Sequence, residues 1–379
     1  MIKDKKEGVL YSDYYDWNMG PYQSNMPVPL QLHIRSDGEI IHSVRYNRGY
    51  AYRGTEYLFE IFRWQQSIVL GSQIIPEAPL FSEWALCLAV ERLFKIELSP
   101  KVECIRGILL ELSRISYHLK TLSQFCFTMG IETVFHFMMR ERELILNLFE
   151  LMSGHRFGKA FFQFGGVLDD LSAGVIDRAD KVCDRLLSRF KEYEGLSIEN
   201  RTFTHRLEKM GLLTDALIHR YQITGPNAKA GGFSEDLRFI QPQGPYQLLA
   251  SELCELKISG YYQSNPLTRF KYRIEEMRQS IRMIRVFLEE LPQYSYLDQT
   301  IVSENLLPEG EQWVSVESPQ GHMDVHLVSE GGKKFSRVFY HMPAVASLAA
   351  YPHLLKQSYV EDCNVIFYSL GVEMSEVDR

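Results

Sequence analysis

Hydrophobic and polar positions change period twice along this chain. Between residues 28 and 46, Leu30, Leu32 and Ile34 alternate with Gln31, His33 and Arg35, and Ile40, His42, Val44 and Tyr46 keep the same period after Asp37-Gly38. A period of two belongs to a half-buried strand, and glycine accepts the positive φ of a tight turn, so this segment predicts a β-hairpin. From Ile105 the period lengthens: Ile108, Leu109, Leu112, Ile115, Leu119 and Leu122 recur at spacings of three and four, the stripe of an amphipathic helix. Residues 134 to 152 and 174 to 194 repeat that pattern, the second through Val175, Ala179, Val182, Cys183, Leu186, Phe190 and Tyr193. A later helix opens at Asn265-Pro266, a capping residue and a first-turn proline, runs through Phe270, Ile274, Met277, Ile281 and Ile284, and stops by Pro292.

Strand periodicity then returns. Trp313 to Glu317 and His322 to Val328 flank the turn Ser318-Pro319-Gln320-Gly321, and Gly331-Gly332 leads into Phe335 to Tyr340. The prediction is a mainly helical α+β protein forming one unit over residues 1–379. It has an N-terminal β region (1–50), a helical core (51–300) and a C-terminal β/α region (301–379). There is no internal repeat, low-complexity tract or clear linker.

Composition narrows the function classes. The net charge is −7 with no basic run of five or more residues, which argues against a dedicated nucleic-acid binder. No two of the six cysteines, Cys87, Cys104, Cys126, Cys183, Cys254 and Cys363, form a CxxC pair, so zinc ribbons, dithiol redox sites and cysteine-ligated clusters have no signature. They read as reduced, mostly buried thiols. The start, Met1-Ile2-Lys3-Asp4-Lys5-Lys6-Glu7, lacks an apolar h-region, and no apolar run approaches the ~18 residues that span a bilayer. Any membrane association is then expected through a partner.

Chemistry does not emerge from spacing alone. There is no GxGxxG, Walker loop or GxSxG. Gly165-Gly166 and Gly231-Gly232 read as tight turns beside helix boundaries. Glu111, Arg114 and His118 fall at i, i+3 and i+7 on the polar face of a helix; they are either a buried proton-handling network or a structural ion pair beside a bystander histidine. Arg140-Glu141-Arg142-Glu143 reads as a solvated face or an intra-helical ladder. His322 and His326 are four apart, but in a strand that is roughly 13 Å, too far for one small ion.

Taken in order, a set of blocks resembles the D subunit (subunit 7 in mitochondria) of NADH:quinone oxidoreductase, respiratory complex I. They are Gly20-Pro21 leading to Asp37-Gly38-Glu39; Arg53-Gly54-Thr55-Glu56; Cys87-Leu88-Ala89-Val90-Glu91; and Ile105-Arg106 through Glu111, Arg114 and His118. Further on come Arg140 to Glu143, Ser153-Gly154, Gly165-Gly166-Val167, Asp236-Leu237-Arg238, Arg273 to Ser280 and the terminal Glu376-Val377-Asp378-Arg379. The resemblance covers about residues 17 to 379. It implies the helical-bundle fold shared with nickel–iron hydrogenase large subunits, here without thiolates for a nickel–iron centre.

The same resemblance implies partners and a place. The family's member packs against a smaller iron–sulfur subunit within a peripheral arm joined to a membrane arm, on the bacterial cytoplasmic face or the mitochondrial matrix side. The chain is expected to bind no metal, flavin or nicotinamide itself; the cluster is the partner's, and a quinone enters between the two. Docking is expected near Arg53 and the Gly165-Gly166 turn. Arg53, in Tyr52-Arg53-Gly54, keeps the arginine near that cluster but loses the family's preceding histidine.

Other departures touch the quinone site. The family's GPQHPxxHG reads Gly20 through Val28 here, which puts Pro27 at the quinone-binding histidine. Counting without gaps from Arg53 to Glu91, Pro76 falls at the quinone-binding tyrosine. Thr128 falls at the aspartate supporting the histidine, and Gly158 at a cluster-proximal histidine, with His155 three residues earlier. Proline offers neither a side-chain hydrogen bond nor a proton. Two classes of function follow: an oxidoreductase subunit with an altered acceptor site, or a catalytically inactive paralogue that scaffolds a related redox complex. The missing thiolates argue against a hydrogenase-like enzyme.

Overall fold

The computed structural model describes residues 14–22, 28–249, 263–291 and 306–379. Three antiparallel strands open the chain: β1 (Tyr15–Met19), β2 (Gln31–Asp37) and β3 (Ile40–Asn47), in that order across the sheet. The expected hairpin is β2–β3, turning at Asp37-Gly38, with a register shift between Arg35 and Ser36. Leu32 and Ile34 are buried on the inner face, as the alternation requires. β1 was not expected; Trp17 fixes it by donating its indole N–H to Ser36 Oγ at 2.7 Å.

Helices follow: α1 (Thr55–Ile61), α2 (Ser67–Gly71), α3 (Pro79–Phe94), α4 (Pro100–Thr128), α5 (Glu132–Ser153), α6 (Ala173–Ser197), α7 (Arg201–Glu208), α8 (Asp215–Tyr221), α9 (Gly225–Lys229), α10 (Leu237–Ile240) and α11 (Pro266–Glu289). The short strands β4 (Phe162–Gln163) and β5 (Gly166–Val167) pair between α5 and α6. Helix α4 is the axis, packing on both α5 and α11. Ser99 caps it through the Val102 amide and Pro100 takes the first turn, where its missing N–H costs nothing. Gly107 lets α11 approach closely: a Cβ there would sit 2.7 Å from the Phe287 ring. On α11, Asn265 accepts from the Thr268 amide at 2.9 Å, the cap expected from Asn265-Pro266.

A second antiparallel sheet, β6 (Glu309–Ser318), β7 (Gly321–Glu330) and β8 (Arg337–His341), packs on α3. Helices α12 (Pro343–Leu355), α13 (Asp362–Leu370) and α14 (Met374–Val377) complete the chain, α13 lying against α4. The mainly helical α+β architecture, with small antiparallel sheets in the N- and C-terminal regions, is therefore the one expected. One apolar cluster runs from Leu32 in β2 through Leu112 in α4 and Ile281 in α11 to Val325 in β7.

Two expectations need correction. Gly165-Gly166 does not border a helix: it is the buried turn between β4 and β5, held where Gly165 donates to Glu91 and Arg106 donates to Gly166 O. Arg140 to Glu143 is only half a solvated face. Glu141 is buried, receives Arg140 and Arg185, and ties α5 to α6, while buried Arg142 reaches Glu77 at 2.6 Å.

Candidate functional site

Segments distant in sequence converge on one face. Arg53, just before α1, donates to Gln73 O at 2.7 Å and to Ser375 O at 3.1 Å. Partial burial holds its pKa below the ordinary guanidinium value, and an arginine starts so high that it stays charged at any relevant pH. Asp378 accepts the Gly49 and Ala51 amides at 2.8 and 3.1 Å, and Arg379 pairs with Glu56 at 3.3 Å. Tyr22 donates to Tyr50 O at 3.2 Å. Residues 49–56, 73–77 and 371–379 thus form one surface, and the 20–22 segment is anchored to it.

Pro76 is half-buried on this surface, and Pro27 lies outside the described residues. The residue beside Pro76 is charged. Glu77 meets Lys120 of α4 at 3.2 Å and Arg142 of α5 at 2.6 Å, and Lys120 also reaches Glu373 at 2.5 Å. Behind them Glu376 is fully buried, with Tyr117 Oη 3.5 Å away, and Gln320 donates to that phenol. Burial, then the negative charge of Glu373, pushes the Glu376 carboxyl up to about 8; burial also raises Glu373, against the pull of Lys120. Arg142 lies over the Phe157 ring, which brings the 153–158 segment near this group; Gly158 takes a positive φ there and His155 is exposed. Thr128 is not joined to it. Its hydroxyl donates to Phe125 O at the end of α4, about two turns beyond Lys120.

The triad of α4 lies elsewhere and is larger than its sequence suggests. Glu111, Arg114 and His118 are all fully buried, so the face they occupy is an interior one. Arg114 pairs with Glu111 at 3.2 Å and donates to Glu317 O and Ser318 O, stapling the β6–β7 turn to the bundle. Glu111 also meets Arg238 and Tyr246; Arg238 reaches Asp236 and Glu276; Lys229 reaches Asp236, Glu276 and Glu317. Burial alone would raise the Glu111 carboxyl, but the Arg114 and Arg238 guanidiniums hold it below its ordinary range. His118 hydrogen-bonds Glu276 at 2.8 Å; burial outweighs that carboxylate and lowers the imidazole's pKa. Asp236-Leu237-Arg238 and Arg273 to Ser280 supply the partners that helical spacing could not show.

The paired histidines of β7 have separate partners, His322 with Glu317 and His326 with Glu311. Among the described residues no three or more His, Cys, Asp or Glu side chains group to hold a metal, and no helix is long and apolar enough to cross a membrane. Glu77, Lys120 and Glu373 were missed in the sequence. Only Glu77, beside Pro76, had a neighbour that drew attention to it.

A mainly helical protein with a cluster of charged groups around Lys120 and a buried ionic centre has a counterpart among known families. The family model described as "Respiratory-chain NADH dehydrogenase, 49 Kd subunit" matches residues 128–305 and 298–379, and the chain belongs to that family. Within it, the chain is 31% identical to the D subunit of the NADH-quinone oxidoreductase of Geobacter metallireducens, covering 96% of this chain and 98% of that protein. The D 1 subunit of the Solibacter usitatus enzyme is also 31% identical, over 96% and 93% of the two chains. The corresponding D subunit of Citrifermentans bemidjiense is 29% identical, over 97% and 100%.

Proposed function

We propose that this chain is the D subunit of a membrane-associated NADH:quinone oxidoreductase assembly. It forms one wall of the cleft in which a quinone meets the terminal iron–sulfur cluster of a smaller partner subunit. The observation that carries this is the near-full-length match to the D subunits of such enzymes, together with the convergence of residues 49–56, 73–77 and 371–379 around Arg53. The chain itself holds no metal, flavin or nicotinamide in this reading. Arg53 supplies fixed positive charge toward the partner's cluster, which favours the reduced cluster without titrating. The other peripheral-arm subunits and the membrane arm are contacted through the same assembly, on the cytoplasmic or matrix side.

The acceptor is held differently from the family's usual way. Pro27, Pro76 and Thr128 stand at the positions of its quinone-binding histidine and tyrosine and of the aspartate supporting the histidine. Quinone reduction needs proton donors for two oxygens, and those residues include no acid of suitable strength. The test is to purify the assembly and compare NADH oxidation with ferricyanide, which takes electrons upstream, and with a short-chain ubiquinone. We expect both activities, with the quinone rate lost on Arg53→Met. Ferricyanide reduction without reduction of any quinone would favour the scaffold reading instead.

A further inference from the structure

We propose that Glu376, Glu373 and Glu77, gathered around Lys120, form a carboxylic-acid proton store serving an acceptor reduced in the cleft beside Pro76. The proposal rests on the reading above and adds the source of the protons to it.

Geometry comes first. Two carboxyl groups share two close cations: Lys120 lies between Glu77 and Glu373, and Arg142 lies on Glu77. Glu376 is the carboxyl left over. It is 0% exposed, and its Oε2 has no hydrogen-bond partner among the described residues. An ionised carboxylate with an unpartnered, desolvated oxygen is expensive, and a protonated one is not. Exposure then grades outward, from 0% at Glu376 to 13% for the Lys120 side chain, 22% for Glu373 and 27% for Glu77. The group therefore runs from a dry carboxyl to a wet one.

The surroundings agree. Other charges near Glu376 are mostly committed. Arg53 donates to Gln73 O and Ser375 O and Arg273 to Ser369 O and Leu370 O, while Arg379 pairs with Glu56 but keeps a buried, unpartnered Nη1 and, like Lys120, pulls the Glu376 carboxyl down against its burial. Asp378 caps the Gly49 and Ala51 amides, and Arg48 faces Arg379. Tyr117, the phenol beside Glu376, is pushed far up by burial and cannot serve as the acid. Burial and Glu373 place Glu376 at about 8, where an acid still holds its proton at neutral pH and can release it.

The transfers balance simply. Electrons arrive singly from the partner subunit's iron–sulfur cluster. For each of the two quinone oxygens, one carboxyl O–H breaks and one quinol O–H forms. The carboxylate left behind is compensated by the Lys120 ammonium and takes a proton back from water at the Glu77 edge. Lys120 acts as a positioning charge.

The test uses the assembled complex carrying Glu376→Gln, Lys120→Met or Glu77→Gln, with thermal stability and ferricyanide reduction as controls for folding and electron entry. In the parent, quinone reduction should fall as pH rises through about 8, where the store empties. Glu376→Gln should lower the rate on the order of 100-fold, the contribution of a general acid, and abolish that alkaline limb. Lys120→Met removes a cation from the carboxylates, so the limb should move to higher pH. Variants that retain ferricyanide reduction and the parent's quinone pH profile would overturn the store while leaving the quinone reading intact. A parent that reduces ferricyanide but no quinone would overturn both.

Discussion

At the residue scale, buried carboxyls of two kinds share this interior, and they make opposite demands on pH. Burial, only partly offset by the Ala160 amide, pushes Glu83 up to about 8; burial also pushes Glu103 to about 7 and Glu376 to about 8. Each of these folded-state values lies above the ordinary carboxyl value, so the native state binds protons that the unfolded chain has released. Their stabilising contribution is complete below about pH 4.5 and is lost as pH rises through 7 to 8. Asp236 and Glu276, held low by Arg238 and Lys229 against their burial, act the other way and lose their contribution only in strong acid. We therefore expect the melting temperature to fall between pH 6 and pH 8.5. Glu83→Gln should flatten that slope, as scanning calorimetry across the range would show. Of the interior's carboxyls, helical spacing drew attention to Glu111 alone. The others carried no such signal, because desolvation is a property of what packs around a side chain, not of its neighbours along the chain.

At the element scale, two contacts hold the bundle, and each has a distinct failure. Gly107 allows α4 and α11 to touch, and the Phe287 ring lies where a side chain would have to go. Gly107→Ala should cost about 1–3 kcal/mol by overpacking, and adding Phe287→Leu should recover part of it; denaturant unfolding of the double-mutant cycle measures this. Arg114 ties α4 to the β6–β7 turn through two buried carbonyls. Arg114→Met should cost about 3–5 kcal/mol, because Glu111 and those carbonyls are left in the dry interior; a loss below about 1 kcal/mol, the scale of one ordinary hydrogen bond, would show that Arg238 alone satisfies Glu111. The β2–β3 and β6–β7 hairpins, α4, α5, α6 and α11 were legible because apolar periodicity and caps such as Asn265 are local signals. β1 was not, because most of it is exposed and its inward register comes from Ser36 and His33 on the next strand. The site around Pro76 was legible only as a gap in the family's pattern, and Lys120 and Glu373 were not legible at all, since they meet across 253 residues of chain.

At the scale of the whole molecule, the N-terminal face carries exposed aromatics: Tyr15, Trp17, Tyr22, Tyr50, Tyr52 and Tyr57. Scattered exposed apolar residues need no explanation, but Tyr50, Tyr52 and Tyr57 lie within four residues of Arg53 along the chain, and exposed aromatics so grouped suit a contact surface. We expect the chain expressed alone to self-associate, and co-expression with the iron–sulfur subunit proposed as its partner to yield a monodisperse complex. Light scattering checks this, and a stable monomer at high concentration would count against an obligate partner. The Arg114 staple also sets a timetable. Its guanidinium waits for carbonyls 203 and 204 residues downstream. At the usual pace of translation that is roughly 10 to 40 s during which the helices emerging from the ribosome carry an ion pair with no lid over it. Water must occupy that gap until the last sheet arrives. A chain stalled before residue 318 should therefore be a prime client for chaperones that shield half-built cores.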